Sequence, residues 1–218
     1  MINISRLHYP VTALGPGRRA GIWVQGCTIA CPGCVSRDTW DHSTGTPLRV
    51  DDVLGWITDL GAQHGDLDGV TITGGEPTEQ PEALHNLLGG IDERRQGGTF
   101  TGDVLCYTGR DEDDLHAMWP WARKLIDAVI VGAFKITEPT GLLWRGSANQ
   151  RLIALTERGH RVYSPYVDAT VSRPPLQVTV DGGQVWMIGI PRRGDLQRLE
   201  EALRRDGVDL EEVSWRPR

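Results

Sequence analysis

Three of the four cysteines in this 218-residue chain fall within nine residues, in the stretch GCTIACPGC. Cys27, Cys31 and Cys34 form a C-x3-C-x2-C pattern. Thiolates are soft ligands, and cysteines this tightly spaced select zinc or an iron–sulfur cluster. A structural zinc ion closes its shell with four protein ligands. The remaining candidates, His42 and Cys106, make no familiar zinc spacing with the cluster. A [4Fe–4S] cluster ordinarily takes four cysteines. Three thiolates would leave one iron open to a non-protein ligand, so the missing fourth thiolate would be a place for substrate. A closed zinc site stays open as the alternative.

A second stretch, GVTITGGEPTEQ, covers residues 69–80. Val70 and Ile72 read as a short buried strand. Gly74 and Gly75 end it, and Pro77 prevents a simple continuation. Paired glycines allow a ligand close to the backbone, and Glu76 adds a carboxylate. Taken alone, this is an ordinary strand-ending turn. Cys106, between Leu105 and Tyr107, reads as a core strand residue. Trp40 and Trp144 read first as packing aromatics. Arg145 suits either a carboxylate contact or a surface or helix-capping role. Ser147 reads as an N-cap. Arg18 and Arg19 read as a solvated loop or a partner-docking patch. The six histidines show no ligand spacing.

The elements that must position these residues are those of an α/β chain. Strands are expected at INISRLHY, AGIWVQG, TITGG, DVLCYTG and DAVIVGAF. A helix in VDDVLGWITDLGAQ carries Val53, Leu54, Ile57 and Leu60 on one stripe, with Asp51 or Asp52 as its cap. A second, over residues 81–95, carries Leu84, Leu87, Leu88 and Ile91, and a short one follows at DEDDLHAM. Strands alternating with helices imply a mostly parallel sheet, with the chemistry at the strands' C-terminal ends. Hydrophobic content of 39% and charged content of 24% suit a globular chain long enough for a sizeable core without disulfides. The net charge of −6 gives no strong sign of nucleic-acid binding. No apolar run nears the roughly 20 residues of a membrane span, and no secretion signal is evident, so a cytoplasmic protein without membrane contact is expected.

C-x3-C-x2-C is the cluster motif of the radical S-adenosylmethionine (SAM) superfamily, which this chain resembles. The closer resemblance is to the activating enzymes of anaerobic (class III) ribonucleoside-triphosphate reductase. GPGRRAGIWVQGCTIACPGCVSRDTWD, CYTGRDEDDL and LIDAVIVGAFKITEPTGLLWRGSANQ carry it, in the family's order, from about residue 7 to residue 155. It implies a radical SAM-type partial (βα) barrel and a [4Fe–4S] cluster on Cys27, Cys31 and Cys34. SAM would lie on the open iron, with its amino group at Gly74, Gly75 and Glu76 and its adenine near Gly33. The implied reaction is reductive cleavage of SAM to a 5′-deoxyadenosyl radical, which installs a glycyl radical on a partner reductase. An electron donor such as flavodoxin or ferredoxin is implied as well. The alternatives are a self-contained radical enzyme acting on a small molecule, peptide or nucleotide, and a non-catalytic iron–sulfur or zinc module. An activating enzyme needs a shallow site, expected within a ring formed by GPGRR and LLWRGSANQ.

Residues 156–218 exceed the short family members and are expected to form an extension beside a core of residues 1–155. LQVTVDGGQVWMIGIP alternates about Asp181, Gly182 and Gly183 as a β-hairpin. GDLQRLEEALRRDG reads as a helix on Leu196, Leu199 and Leu203, closed by Gly207. VDLEEVSW reads as a last strand, completing a β-β-α-β unit that covers one sheet edge or recognises a partner.

Overall fold

The computed structural model describes residues 1–65, 67–118, 120–181, 184–210 and 213. Four strands run parallel at its centre: β2 (Arg19–Val24), β4 (Gly69–Gly74), β5 (Asp103–Tyr107) and β6 (Ala128–Val131). β1 (Ile2–Val11) lies antiparallel on β2, and β3 (Thr46–Leu48) on β1. At the other edge β7 (Arg151–Ala154) pairs antiparallel with β6. The order β3-β1-β2-β4-β5-β6-β7 is the mostly parallel α/β sheet that the alternating sequence predicts.

Side chains alternate across the sheet, as the two-residue period of a strand requires. Ala20, Ile22, Val24, Val70, Ile72, Val104, Cys106, Val129 and Val131 face one core. Against them pack α1 (Val50–His64) and α2 (Pro81–Gln96), through the stripes Val53, Leu54, Ile57, Leu60 and Leu84, Leu87, Leu88, Ile91. Each leucine buried here contributes roughly 1.5–3 kcal/mol. Gly90 lets α2 close on α1, since a Cβ there would overlap the Leu54 side chain. The short helices α3 (Glu112–Met118) and α4 (Ala122–Leu125) add Leu115 and Ala122 to this layer. The cap of α1 differs from expectation: Arg49 holds the N-cap position with no side-chain cap bond, and Asp51 and Asp52 sit inside the first turn, where they face the positive end of the helix dipole.

The opposite face of the sheet is covered by three pieces. Trp144, at φ +60, packs with Tyr163 and Tyr166, as the packing reading expects. α5 (Glu157–Tyr163) lies so close that a Cβ on Gly159 would overlap the Asp127 carbonyl. Its Thr156 cap binds both the Gly159 N–H and the Asp127 carboxylate. The third piece is the hairpin of β8 (Leu176–Asp181) and β9 (Gln184–Gly189), whose Ile188 is buried against Val11, Ala13, Leu14 and Trp23. The hairpin therefore lies on a face of the sheet through Ile188, and its Gln177 also reaches the edge of β1 that β3 leaves open, bonding the Pro10 carbonyl and the Thr12 N–H. Since α5 belongs to the core by its contacts, we propose that the extension begins after Tyr166 and not at residue 156. The expected amphipathic helix is α6 (Asp195–Arg205). Gly207 closes it at φ +82, its N–H reaching the Arg204 carbonyl while the Val208 N–H reaches Leu203. The Gly182–Gly183 turn and most of the expected last strand lie outside the described residues; Val208, Asp209 and Leu210 are not in a strand.

Arg19 corrects the reading of GPGRR as a solvated loop. Its guanidinium is fully buried and holds Asp103 with two bonds, 2.6 and 3.1 Å, while also reaching Thr71 Oγ1 and the Val70 and Pro16 carbonyls. Tyr163 donates its hydroxyl to the same Asp103. Of the two arginines, Arg18 stays exposed. This loop enters β2 at the N-terminal ends of the parallel strands, so it cannot belong to a ring at their C-terminal ends.

Candidate cluster and cofactor site

The three clustered cysteines follow directly from the C-terminal end of β2, on an irregular loop, each half-buried. Two backbone hydrogen bonds clamp the start of that loop to the turn after β4: Gly75 N–H to the Val24 carbonyl and Glu76 N–H to the Gly26 carbonyl, both 2.8 Å. Gly26 and Cys27 donate in turn to the carbonyls of Thr39 and Trp40. The glycines are explained by this closeness. Gly74 has φ +103, and a Cβ there would stand 2.7 Å from the Val24 carbonyl oxygen. A Cβ on Gly75 would overlap the Gly26 carbonyl. The close approach that the paired glycines permit is thus, in the first place, that of the cysteine loop itself. Gly33, at φ +81, faces the side chain of Ile136, which is 54% exposed.

Glu76 is buried. One oxygen accepts from the Thr78 N–H and the Thr108 hydroxyl, and the other from the Gly109 N–H. The carboxylate ties the ends of β4 and β5 together and retains about one of its four lone-pair sites. Sequence reasoning missed the residues that hold the loop in place. Glu79 accepts from the Thr28 N–H and hydroxyl and bonds His42 Nε2 at 2.8 Å. Gln25 donates to the carbonyls of Asp38 and Asp41 and to Thr44 Oγ1. Gln80 joins the carbonyls of Asn3 and Gln25. The available signal was polar residues abutting the end of each strand, Gln25 after β2 and Glu79-Gln80 after β4, where apolar continuation would otherwise be expected.

Burial pushes the Cys27 thiol up, with Glu76 and Glu79 adding to it, while backbone donors at Ala30 and Ile29 oppose the rise. Burial likewise pushes Cys34 up, opposed by hydrogen bonds from Ser36 and the Trp40 side chain. Donors turned toward sulfur are what a metal-bound thiolate uses. The donor set therefore fits an iron–sulfur cluster. Among the described residues no three His, Cys, Asp or Glu side chains are drawn round one point, so the thiols share a loop without forming a closed cage. Cys106 stands apart: it is buried in β5 on the helix-packed face, and desolvation keeps its thiol protonated.

The block LLWRGSANQ lies between the C-terminal end of β6 and the start of β7, on the same side as the cysteine loop. Arg145 is buried and donates to the carbonyls of Leu143, Tyr166 and Val167, capping the turn after α5. Ser147 is not an N-cap, since no helix follows it; its hydroxyl accepts the Lys135 N–H.

Residues 13–153 match the family described as "4Fe-4S single cluster domain". The anaerobic ribonucleoside-triphosphate reductase-activating protein of Enterobacteria phage T4 is 30% identical over 158 residues, 72% of this chain and 96% of that protein. The chain belongs to the family of these activating proteins. The protein of that name from Escherichia coli K12 is 32% identical over 148 residues, 66% of this chain and 93% of its own length. That from Haemophilus influenzae is 34% identical over 150 residues, 66% and 92% respectively. A solved structure, QueE from Escherichia coli, shares 21% identity at a TM-score of 0.36, over 50% of this chain and 52% of that one. Membership makes this chain an iron–sulfur activating enzyme and answers the choice between iron–sulfur and zinc. The matched segment includes both the cysteine loop and the GGEP turn, whereas β8, β9 and α6 lie beyond it. No described helix is long and apolar enough to cross a membrane.

Proposed function

We propose that Cys27, Cys31 and Cys34 hold the cluster, that Gly74, Gly75 and Glu76 receive the amino group of SAM, and that Gly33 borders its adenine. The observation that carries this reading is the backbone clamp between residues 26 and 76, which brings three soft thiols and a buried carboxylate to the same strand ends. Bound together, a [4Fe–4S] cluster and SAM supply a 5′-deoxyadenosyl radical, which abstracts a hydrogen atom from a glycine of a partner reductase. The chain's own residues place and seal that chemistry. Glu76 offers its remaining lone pair to an ammonium while Thr108 and Gly109 keep it from swinging away. Glu79 holds Thr28, and with it the first turn of the cysteine loop. Arg145 and Trp144 pack the wall behind LLWRGSANQ and reserve no group for the reacting atoms. A reductant of flavodoxin or ferredoxin type completes the reaction, and the cell interior is its setting.

The test is anaerobic reconstitution followed by partner activation. About four irons should bind per chain, and alanine at Cys27, Cys31 or Cys34 should remove most of them. Mixing the loaded protein with an anaerobic ribonucleotide reductase, SAM and reductant should produce a stable glycyl radical in the electron paramagnetic resonance spectrum. Cleavage of SAM without any glycyl radical would move the reading to a self-contained radical enzyme.

A further inference from the structure

The hairpin of the extension is linked to the cysteine loop through Arg6. Trp186, on β9, presents its ring to Arg6 of β1, with the guanidinium carbon 4.0 Å from the ring centre. Arg6 in turn binds Asp38 at 2.7 Å. Asp38 lies in the short turn Arg37–Thr39, four residues past Cys34. That turn is part of the cluster's support: the Asp38 carbonyl accepts Gln25, and the Thr39 carbonyl accepts the N–H of Gly26. The hairpin is aligned for this by its other anchors. Gln177 bonds the Pro10 carbonyl and the Thr12 N–H at the far end of β1, and Ile188 is buried on Val11 and Trp23. Trp186, paired with Thr179 across the hairpin, then meets Arg6, which stands opposite Trp23 near the C-terminal end of β2.

We propose that Trp186 is a positioning residue for the cluster: it holds Arg6 against Asp38 and so keeps the Asp38 charge neutralised beside Cys34. The proposal rests on the cluster reading above. Three features make the link specific. The Arg6 Nε is buried with no hydrogen-bond partner, so the guanidinium is held by the ring and by Asp38. Asp38 lies in the turn that follows the last clustered cysteine and is bonded through its backbone to Gln25, at the root of the cysteine loop. Indole is the ring that holds a cation best, and arginine is the side chain most often found over one. The reduced cluster carries one more negative charge than the oxidised one, so a bare carboxylate nearby disfavours reduction. Arg6 cancels that effect, and Trp186 keeps Arg6 in place.

The experiment is a redox titration of the reconstituted full-length protein, followed by electron paramagnetic resonance of the reduced cluster. Trp186→Ala and Arg6→Met should each shift the midpoint to lower potential, and Asp38→Asn should shift it higher. In the Arg6→Met background, Trp186→Ala should produce no further shift, because the guanidinium that the ring holds is gone. Trp186→Leu keeps apolar bulk without the aromatic face and should shift like alanine, which covers the case in which alanine does not fold. A wild-type midpoint in folded, iron-loaded Trp186→Leu overturns the proposal, as does a shift that survives in Arg6→Met. Failure of the wild type to bind iron is a different result, one that removes the cluster reading itself and this proposal with it.

Discussion

The two ends of one parallel sheet are built in opposite ways. At the N-terminal end, Arg19 spends all five N–H groups on Asp103, Thr71 and two carbonyls, and Tyr163 completes Asp103. The Arg19 guanidinium keeps no N–H to meet a ligand. At the C-terminal end, the cysteines stay half-buried on an irregular loop, and glycines let two backbone segments touch. One end uses buried charge to close the structure, and the other holds the cysteine loop with backbone hydrogen bonds and a few polar side chains. Chemistry and rigidity can coexist in 218 residues because they occupy different ends of the same strands.

The strongest test of this contrast is at the closed end. Arg19→Met should destabilise the protein by roughly 3–5 kcal/mol, because Asp103 is left charged and unpaired in the interior. Chemical denaturation would measure it, and a loss below 1 kcal/mol would mean that the buried pair is not what closes that end. Next comes Gly75→Ala at the open end. Its Cβ must displace the Gly26 carbonyl. A cost of about 1–3 kcal/mol is expected for such overpacking, with a fall in iron content that Arg19→Met, once folded, does not show. Retention of full iron by Gly75→Ala would break the argument that the clamp shapes the loop. Cys106→Ala separates thiol from ligand: it should cost roughly 1 kcal/mol for the lost apolar volume and leave iron content unchanged.

The smallest effect concerns pH. Burial tends to raise the carboxyl pKa of Glu79, but hydrogen bonds from Thr28 and His42 outweigh it and hold it below the ordinary 4.5. A depressed carboxyl pKa stabilises the fold above its unfolded value and loses that contribution as pH falls through the folded one. Hydrogen exchange in residues 27–42 should therefore quicken as the pH drops below about 4.5 in the metal-free chain. Glu79→Gln should show faster exchange already at neutral pH and little further acid response. Equal acid sensitivity in both proteins would assign the loosening to another group.

Much of this molecule is legible in local spacing. The stripes of α1 and α2 are buried as their 3.6-residue period demands, and C-x3-C-x2-C lies on a loop after a strand. The illegible residues depend on partners far away in the chain. Arg19 follows a glycine-rich turn and looks solvated until Asp103, 84 residues later, is placed beside it. Arg145 looks free to meet a ligand until the carbonyls of Tyr166 and Val167 occupy it. The missing side chain of Gly75 reads as room for a ligand until the Gly26 carbonyl is seen to fill that side, which leaves the backbone groups of the turn to meet one.

By itself, then, the sequence determined the helix faces and the strand-ending turns and narrowed the clustered thiols to soft-metal chemistry, because thiol spacing and hydrophobic period act over a few residues. Only the tertiary structure decided which loops share an end of the sheet. Parallel strands return the chain to the same side after each crossover, so the loops that enter them lie opposite the loops that leave. That geometry put residues 15–19 at the closed end and the GGEP turn beside the cysteines, and it laid the hairpin of the extension across β1, where Trp186 meets Arg6.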